Sequence, residues 1–220
     1  MKKLVIFDLD GTLLNTIEDL GNAANYALSE NGYPTHSLAS YPFFVGNGVR
    51  NLIRKALPDE ARVDSVIDAL LKDFKEYYNE HNTDCTKPYD GIEELLVRLQ
   101  ENGVAMAVAS NKYQQATDKI VDHFFPNINF VAIHGQREGV NVKPDPSVVF
   151  AILGEAKVPK VDVLYVGDSG VDMETARRAC VDSVGVTWGF RSEKELNEYH
   201  ADKIVNKASD IYDIVMSSEM

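Results

Sequence analysis

Two aspartates, Asp8 and Asp10, stand directly behind the apolar run Leu4-Val5-Ile6-Phe7, and Gly11-Thr12 follow them. Carboxylates at that spacing repel unless a cation or a shared proton relieves them. Such a pair suits nucleophilic and acid–base work, or ligation of a hard cation through oxygen. Thr12 adds a hydroxyl and a backbone N–H at the turn. Three more polar clusters recur down the chain: Ser110-Asn111-Lys112, Lys143-Pro144-Asp145-Pro146, and Gly167-Asp168-Ser169-Gly170-Val171-Asp172. Singly, each has a plainer reading. Ser110 could cap a helix, Lys143 could be a solvated loop lysine, Asp168 could sit in a turn, and Asp172 could be an exposed first-turn helix acid.

What gives the clusters weight is the elements that precede them. Leu4–Phe7 reads as a strand buried on both faces, Val104–Ala109 as a second ending at Ser110, and Val161–Val166 as a third ending at Gly167. Phe130–Ile133 and Ser183–Thr187 complete the strand set, with helical patterns near 113–124, after Pro146, and over 172–180. Strands alternating with helices at these intervals predict an α/β fold, a doubly wound and mostly parallel sheet with a Rossmann-like core. In such a sheet the strand ends share one edge, so residues far apart in sequence converge there.

Between the first strand and the rest lies a different texture. Leu20, Ala23, Ala24, Ala27 and Leu28 repeat at helical spacing, then Val49, Leu52, Ile53 and Ala56, then Val63 through Tyr78. No strand pattern falls between about 15 and 82. The expected organisation is an α/β catalytic core from 1–14 and 83–220, with an inserted all-helical cap at 15–82.

Bulk properties narrow the partners. The 220 residues carry a formal net charge of −12, which argues against a nucleic-acid binder. An anionic small substrate would need local cations to overcome that field. Cys85 and Cys180 form no metal-binding spacing, and the apolar run after Lys2-Lys3 is too short for a signal or a membrane span. A cytoplasmic protein, with no membrane partner, is expected. The five histidines show no ligand spacing, and Trp188 reads as packing.

In this order the four motifs resemble those of the haloacid dehalogenase superfamily: D-x-D-G-T, a Ser or Thr after the second strand, a Lys, and G-D-S/T-x-x-D. The resemblance implies Asp8 as the nucleophile that becomes an aspartyl-phosphate, and Asp10 as general acid and then base. It implies Ser110 as hydroxyl donor to the phosphoryl group and Lys143 as the cation neutralising it. Mg²⁺ is the implied cofactor, held by Asp8, the Asp10 backbone carbonyl, Asp168 and Asp172, the last directly or through water. Leu9, Thr12 and Asn111 are further expected phosphate donors. Asp10 also argues for phosphatases or mutases over dehalogenases, which lack an acid there.

The cap segment Phe44-Val45-Gly46-Asn47-Gly48-Val49-Arg50 is similar to the G-N-G segment of phosphoglycolate phosphatases within that superfamily. Glycines around a helix start can line an anion site with N–H groups, so Gly46, Asn47, Gly48 and Arg50 are expected to meet a substrate carboxylate. A plain helix start without a ligand is the other reading. The implied function is Mg²⁺-dependent hydrolysis of a small phosphorylated metabolite, 2-phosphoglycolate, by a monomer or homodimer. The alternatives are another sugar phosphate, a pyrophosphate, or a β-phosphoglucomutase-like transfer. One departure stands out: Asn15-Thr16 replaces the Asp-Ser of many relatives, with an effect expected on the hinge rather than the chemistry.

Overall fold

The computed structural model describes residues 1–217. Its main sheet has six parallel strands: β1 (Leu4–Phe7), β4 (Ala105–Tyr113), β5 (Phe130–Gln136), β6 (Val163–Gly167), β7 (Asp182–Val186) and β8 (Lys203–Val205). The order is β5-β4-β1-β6-β7-β8. The chain therefore winds outward from β1 through β4 to β5, then returns to β6 on the other side. That reversal opens a crevice at the carboxyl ends of β1 and β6.

Every β1 side chain is fully buried, because both faces are covered. Val5 and Phe7 point into a core shared with α4 (Ile92–Glu101), α5 (Gln114–Phe124) and α9 (Ala208–Met216). Leu4 and Ile6 point the other way, against α6 (Ser147–Ala156) and α7 (Gly170–Ala179). Period-two alternation along one short strand thus seeds two hydrophobic layers.

The segment after β1 is helical, with α1 (Ile17–Glu30), α2 (Val49–Ala56) and α3 (Asp64–His81). Their apolar stripes meet through Ala23, Ala27, Ile53, Ile67 and Phe74, all fully buried. One element escaped the sequence reading. Two residues, β2 (Leu14–Asn15), pair antiparallel with β3 (Lys87–Pro88), tying the two linkers side by side. Beside them Asp19, buried in the first turn of α1, accepts from the Cys85 and Thr86 N–H groups and the Thr86 hydroxyl at 2.7–3.1 Å. Among the described residues no helix is long and apolar enough to cross a membrane.

Candidate active site

The four motifs come together at the carboxyl edge of the sheet. Asp8 follows β1, Asp168 and Asp172 follow β6, and Lys143 comes from the loop after β5. Lys143 Nζ lies 2.7 Å from Asp8 Oδ1 and 2.7 Å from Asp172 Oδ1, and it donates to the Ala109 carbonyl at 2.9 Å. This is the opposite of a solvated loop lysine: the residue is 4% exposed. Burial works against its charge, yet Asp172 and Asp8 outweigh that effect and hold its pKa well above the lysine range.

Asp172 plays two local parts. It is the N3 residue of α7, where its Oδ2 accepts from the Ser169 hydroxyl at 2.6 Å and the Ser169 N–H at 3.2 Å. Its Oδ1 holds Lys143. Asp168 Oδ2 accepts from the Phe190 N–H at 2.6 Å. Gly11, at φ +91°, and Gly189 flank Asp168 so closely that a Cβ at either position would collide with it. Gly11 therefore supplies close approach as well as a sharp turn.

Asp8, Asp168 and Asp172 each offer an oxygen within 4.8 Å of the others. Burial first, and then the Asp172 charge, pushes the Asp8 carboxyl up to about 7, although Lys143 pulls the other way. Burial, followed by the charges of Asp172 and Asp8, pushes the Asp168 carboxyl well above the carboxylate range. Three carboxyl groups crowded around one ammonium resist full ionisation unless a further positive charge joins them, and the donor set is oxygen alone. Both properties fit a small hard divalent cation such as Mg²⁺. The Asp10 side chain is outside this triplet.

Asp10 instead accepts from the Thr16 hydroxyl at 2.7 Å and lies 3.1 Å from Lys112 Nζ. Thr16, at the position where the sequence departs from many relatives, thus touches the expected acid–base residue itself. Ser110 lines the same cavity, with its Oγ accepting from the Lys112 N–H at 3.2 Å. The sequence reading ended the second strand at Ala109, but β4 runs on to Tyr113, re-pairing with Gln136 after a register shift. Ser110, Asn111 and Lys112 are strand residues, fixed by the sheet, and Ser110 is no helix cap.

Other expectations need correction. Thr12 stays out of the cavity: its N–H goes to the Leu9 carbonyl, and its buried hydroxyl has no partner among the described residues. Leu9 buries its side chain in the core, which leaves the expectation for its backbone N–H untouched. The Asn111 amide clamps Lys143, accepting from its N–H at 2.9 Å and donating to its carbonyl at 3.1 Å, while also donating to the Gly46 carbonyl at 3.2 Å. Gly46 and Gly48 border the cavity, whereas Asn47 is exposed and does not line it. Arg50 is turned away. Asp64 and Asp68, one helical turn apart on α3, capture its guanidinium.

Three residues missed from the sequence complete the cavity. Tyr78 on α3 accepts at its hydroxyl from Lys112 Nζ at 2.8 Å. Arg191, in the loop after β7, donates to the Pro42 and Val45 carbonyls and so holds the helical module against the sheet edge. Phe190 adds an apolar wall beside Asp168. Lys112 itself carried a signal, adjacency to Ser110-Asn111, but an early strand end hid its direction.

This arrangement matches a known family. Residues 5–186 match the model for haloacid dehalogenase-like hydrolases, and the chain belongs to that family. A phosphoglycolate phosphatase of Pseudomonas syringae pv. tomato is 34% identical over 94% of this chain and 77% of its own. One of Mesorhizobium japonicum is 30% identical over 93% of this chain and 91% of its own. A solved structure from Lactobacillus delbrueckii subsp. bulgaricus, provisionally assigned as a phosphoglycolate phosphatase, superimposes with a TM-score of 0.93 at 32% identity, covering 99% of this chain and 100% of that one. The chain is a phosphoric monoester hydrolase of this family.

Proposed function

We propose that the protein hydrolyses 2-phosphoglycolate or a closely similar small phosphomonoester through an aspartyl-phosphate. The observation that carries the chemistry is the buried Lys143 held between Asp8 and Asp172. The substrate follows from relatives that bear this name over nearly the whole chain.

An oxygen of the Asp8 carboxylate attacks phosphorus, and the bond from phosphorus to the leaving oxygen breaks. Asp10 gives that oxygen a proton, so the product departs as an alcohol. Ser110 donates its hydroxyl to a phosphoryl oxygen, and Lys143 offsets the charge there. Water then attacks phosphorus, its proton passes to Asp10, and the Asp8 carboxylate is released. Mg²⁺ held by Asp8, Asp168, Asp172 and the Asp10 carbonyl would screen the nucleophile from the phosphate and stabilise charge in the transition state.

Residues 15–82 serve in this reading as a lid over the core of 1–14 and 83–220. Arg191, Asn111 and Lys112 already bond to it, which supports a closed arrangement that excludes water. Gly46 and Gly48 roof the substrate. The setting is cytoplasmic, in keeping with the free thiols of Cys85 and Cys180.

Phosphate release from a panel of phosphomonoesters, with and without Mg²⁺, tests the proposal. Highest kcat/KM for 2-phosphoglycolate, abolished by chelation, is expected. Turnover unaffected by chelation, a requirement for a bisphosphate activator, or preference for hexose phosphates would overturn it.

A further inference from the structure

The cavity over the acids has a charged floor and an uncharged roof. The roof is Leu20, Val45, Val49, Leu52 and Phe74, with the Gly46 and Gly48 backbone between them. A substrate whose far end is anionic needs a cation on that side, and the helical module lines it with none. Three cations border the cavity. Lys143 is committed to Asp8 and Asp172, and Arg191 to the Pro42 and Val45 carbonyls with Glu195 3.6 Å away. Lys112 remains.

Its side chain is 3% exposed, and its ammonium sits between Asp10 Oδ1 at 3.1 Å and the Tyr78 hydroxyl at 2.8 Å, 4.7 Å from the Tyr78 ring centroid. An ammonium has three N–H donors, and these two contacts leave one. The position matters more than the count. Asp10 must reach the leaving oxygen at roughly 2.6–3.2 Å. Lys112 lies against Oδ1 of that same carboxyl group. A group one carbon beyond the leaving oxygen therefore falls beside Lys112, just under the apolar roof.

We propose that Lys112 is the specificity-determining cation, binding a carboxylate attached one carbon from the leaving oxygen, with the Tyr78 hydroxyl as its support from the lid. The inference rests on the phosphomonoesterase reading of this site and moves recognition of the carboxylate from Arg50 to the sheet edge. It also gives the lid an indirect part. Tyr78 holds the ammonium in place only while the helices are down, so a correctly charged substrate is gripped in the closed form.

The test compares 2-phosphoglycolate with ethyl phosphate, in which a methyl replaces the carboxylate. In Lys112→Met, kcat/KM for 2-phosphoglycolate should fall on the order of 10- to 100-fold, the range for a charge-assisted hydrogen bond. Ethyl phosphate should fall by the smaller factor that loss of the Lys112–Asp10 contact imposes on any ester, so the preference for 2-phosphoglycolate over ethyl phosphate is what the variant should lose. Lys112→Arg should retain most of the discrimination. Calorimetry adds a readout without turnover: Asp8→Asn should bind 2-phosphoglycolate, and Asp8→Asn combined with Lys112→Met should lose that affinity by a similar factor. Equal losses on both substrates would show that Lys112 acts only through Asp10 and would overturn the inference while sparing the phosphatase reading. No loss on either would do the same. A wild-type protein that hydrolyses neither ester overturns both. Circular dichroism of Lys112→Met checks its fold, and if it does not fold, Tyr78→Phe must show the same selective loss in weaker form or the inference fails.

Discussion

At the carboxyl edge of the sheet, charges are packed against one another, whereas the helical module above lines the same cavity with side chains that carry none. Asp8, Lys143 and Asp172 are buried and bonded to one another, and Asp168, buried beside them, is held by the Phe190 N–H. Across from them stand Leu20, Val49, Leu52 and Phe74. The difference assigns different work. The edge holds its groups in place before substrate arrives, so no reorganisation is needed as charge develops. In the proposed closed form the module would keep water out, which would strengthen each of those interactions. Changes at the edge should strike every substrate, and changes in the lid should mainly strike closure and fit.

The largest effect expected is that of Asp8→Asn. Asparagine keeps the shape but lacks the anionic oxygen, so turnover should fall by at least about 10³-fold on any phosphomonoester. Thermal unfolding should remain close to wild type. Retention of more than a few per cent of the rate would remove Asp8 from its role and break the contrast at its strongest point.

Asp10→Asn and Asp168→Ala should separate next, because only one of these side chains lies in the acid triplet. Asp10→Asn should slow turnover by roughly 10²–10⁴-fold with little change in the Mg²⁺ concentration needed, since the carbonyl survives. In Asp168→Ala that concentration should rise beyond the roughly 10- to 100-fold typical of changes outside the ligand shell. Metal titrations of the rate decide the matter. The reverse pattern would place the Asp10 side chain on the metal.

The edge was legible in the sequence because buried parallel strands announce themselves as apolar runs, and their ends must share one side of a sheet. Asp8 and Asp168 needed nothing more, whereas Lys143, in a loop with a plain solvated reading, was picked out by the motif order of the family. Lys112 was hidden because strand pairing, not residue type, carries β4 on to Tyr113. Arg50 misled for a related reason. Its capture depends on Asp64 and Asp68 on another helix, a tertiary contact that a G-N-G segment cannot foretell. The helices α1, α2 and α3 were readable from periodicity. Their docking was not, since Arg191 and Asn111 bond to backbone carbonyls at Val45 and Gly46, which leave no trace in residue identity.

Where the two regions join, Asp19 offers a smaller test. Its carboxylate is the acceptor for three donors of the second linker, and its removal leaves the two buried Thr86 groups without a partner. Asp19→Ala should lower stability by at least about 2 kcal/mol in urea unfolding. Activity of the folded fraction should fall less than in any edge variant. A loss under about 0.5 kcal/mol would show that the linkers are not coupled through this residue.

The smallest effect belongs to α7, which carries both kinds of environment two residues apart. Asp172 faces the buried network, while Glu174 pairs with Arg177 and Arg178 on the exposed side of the helix. Hydrogen bonds from Arg177 first, then Arg178, hold the Glu174 carboxyl down at about 2, against an ordinary value of 4.5. A lowered folded pKa means the contribution is present above about pH 4.5 and fades as pH falls toward 2. Both arginines are about half exposed, at 62% and 47%, so water and salt screen the pairs. Glu174→Gln should therefore cost under about 1 kcal/mol at neutral pH. The difference from wild type should shrink in high salt, and again on acidification to about pH 3, where the unfolded chain is largely protonated at this position. Paired thermal melts at the two pH values measure it. A Glu174→Gln loss as large as that of Asp172→Asn, or one that grows on acidification, would mean that burial does not divide the charges of this helix as the fold indicates.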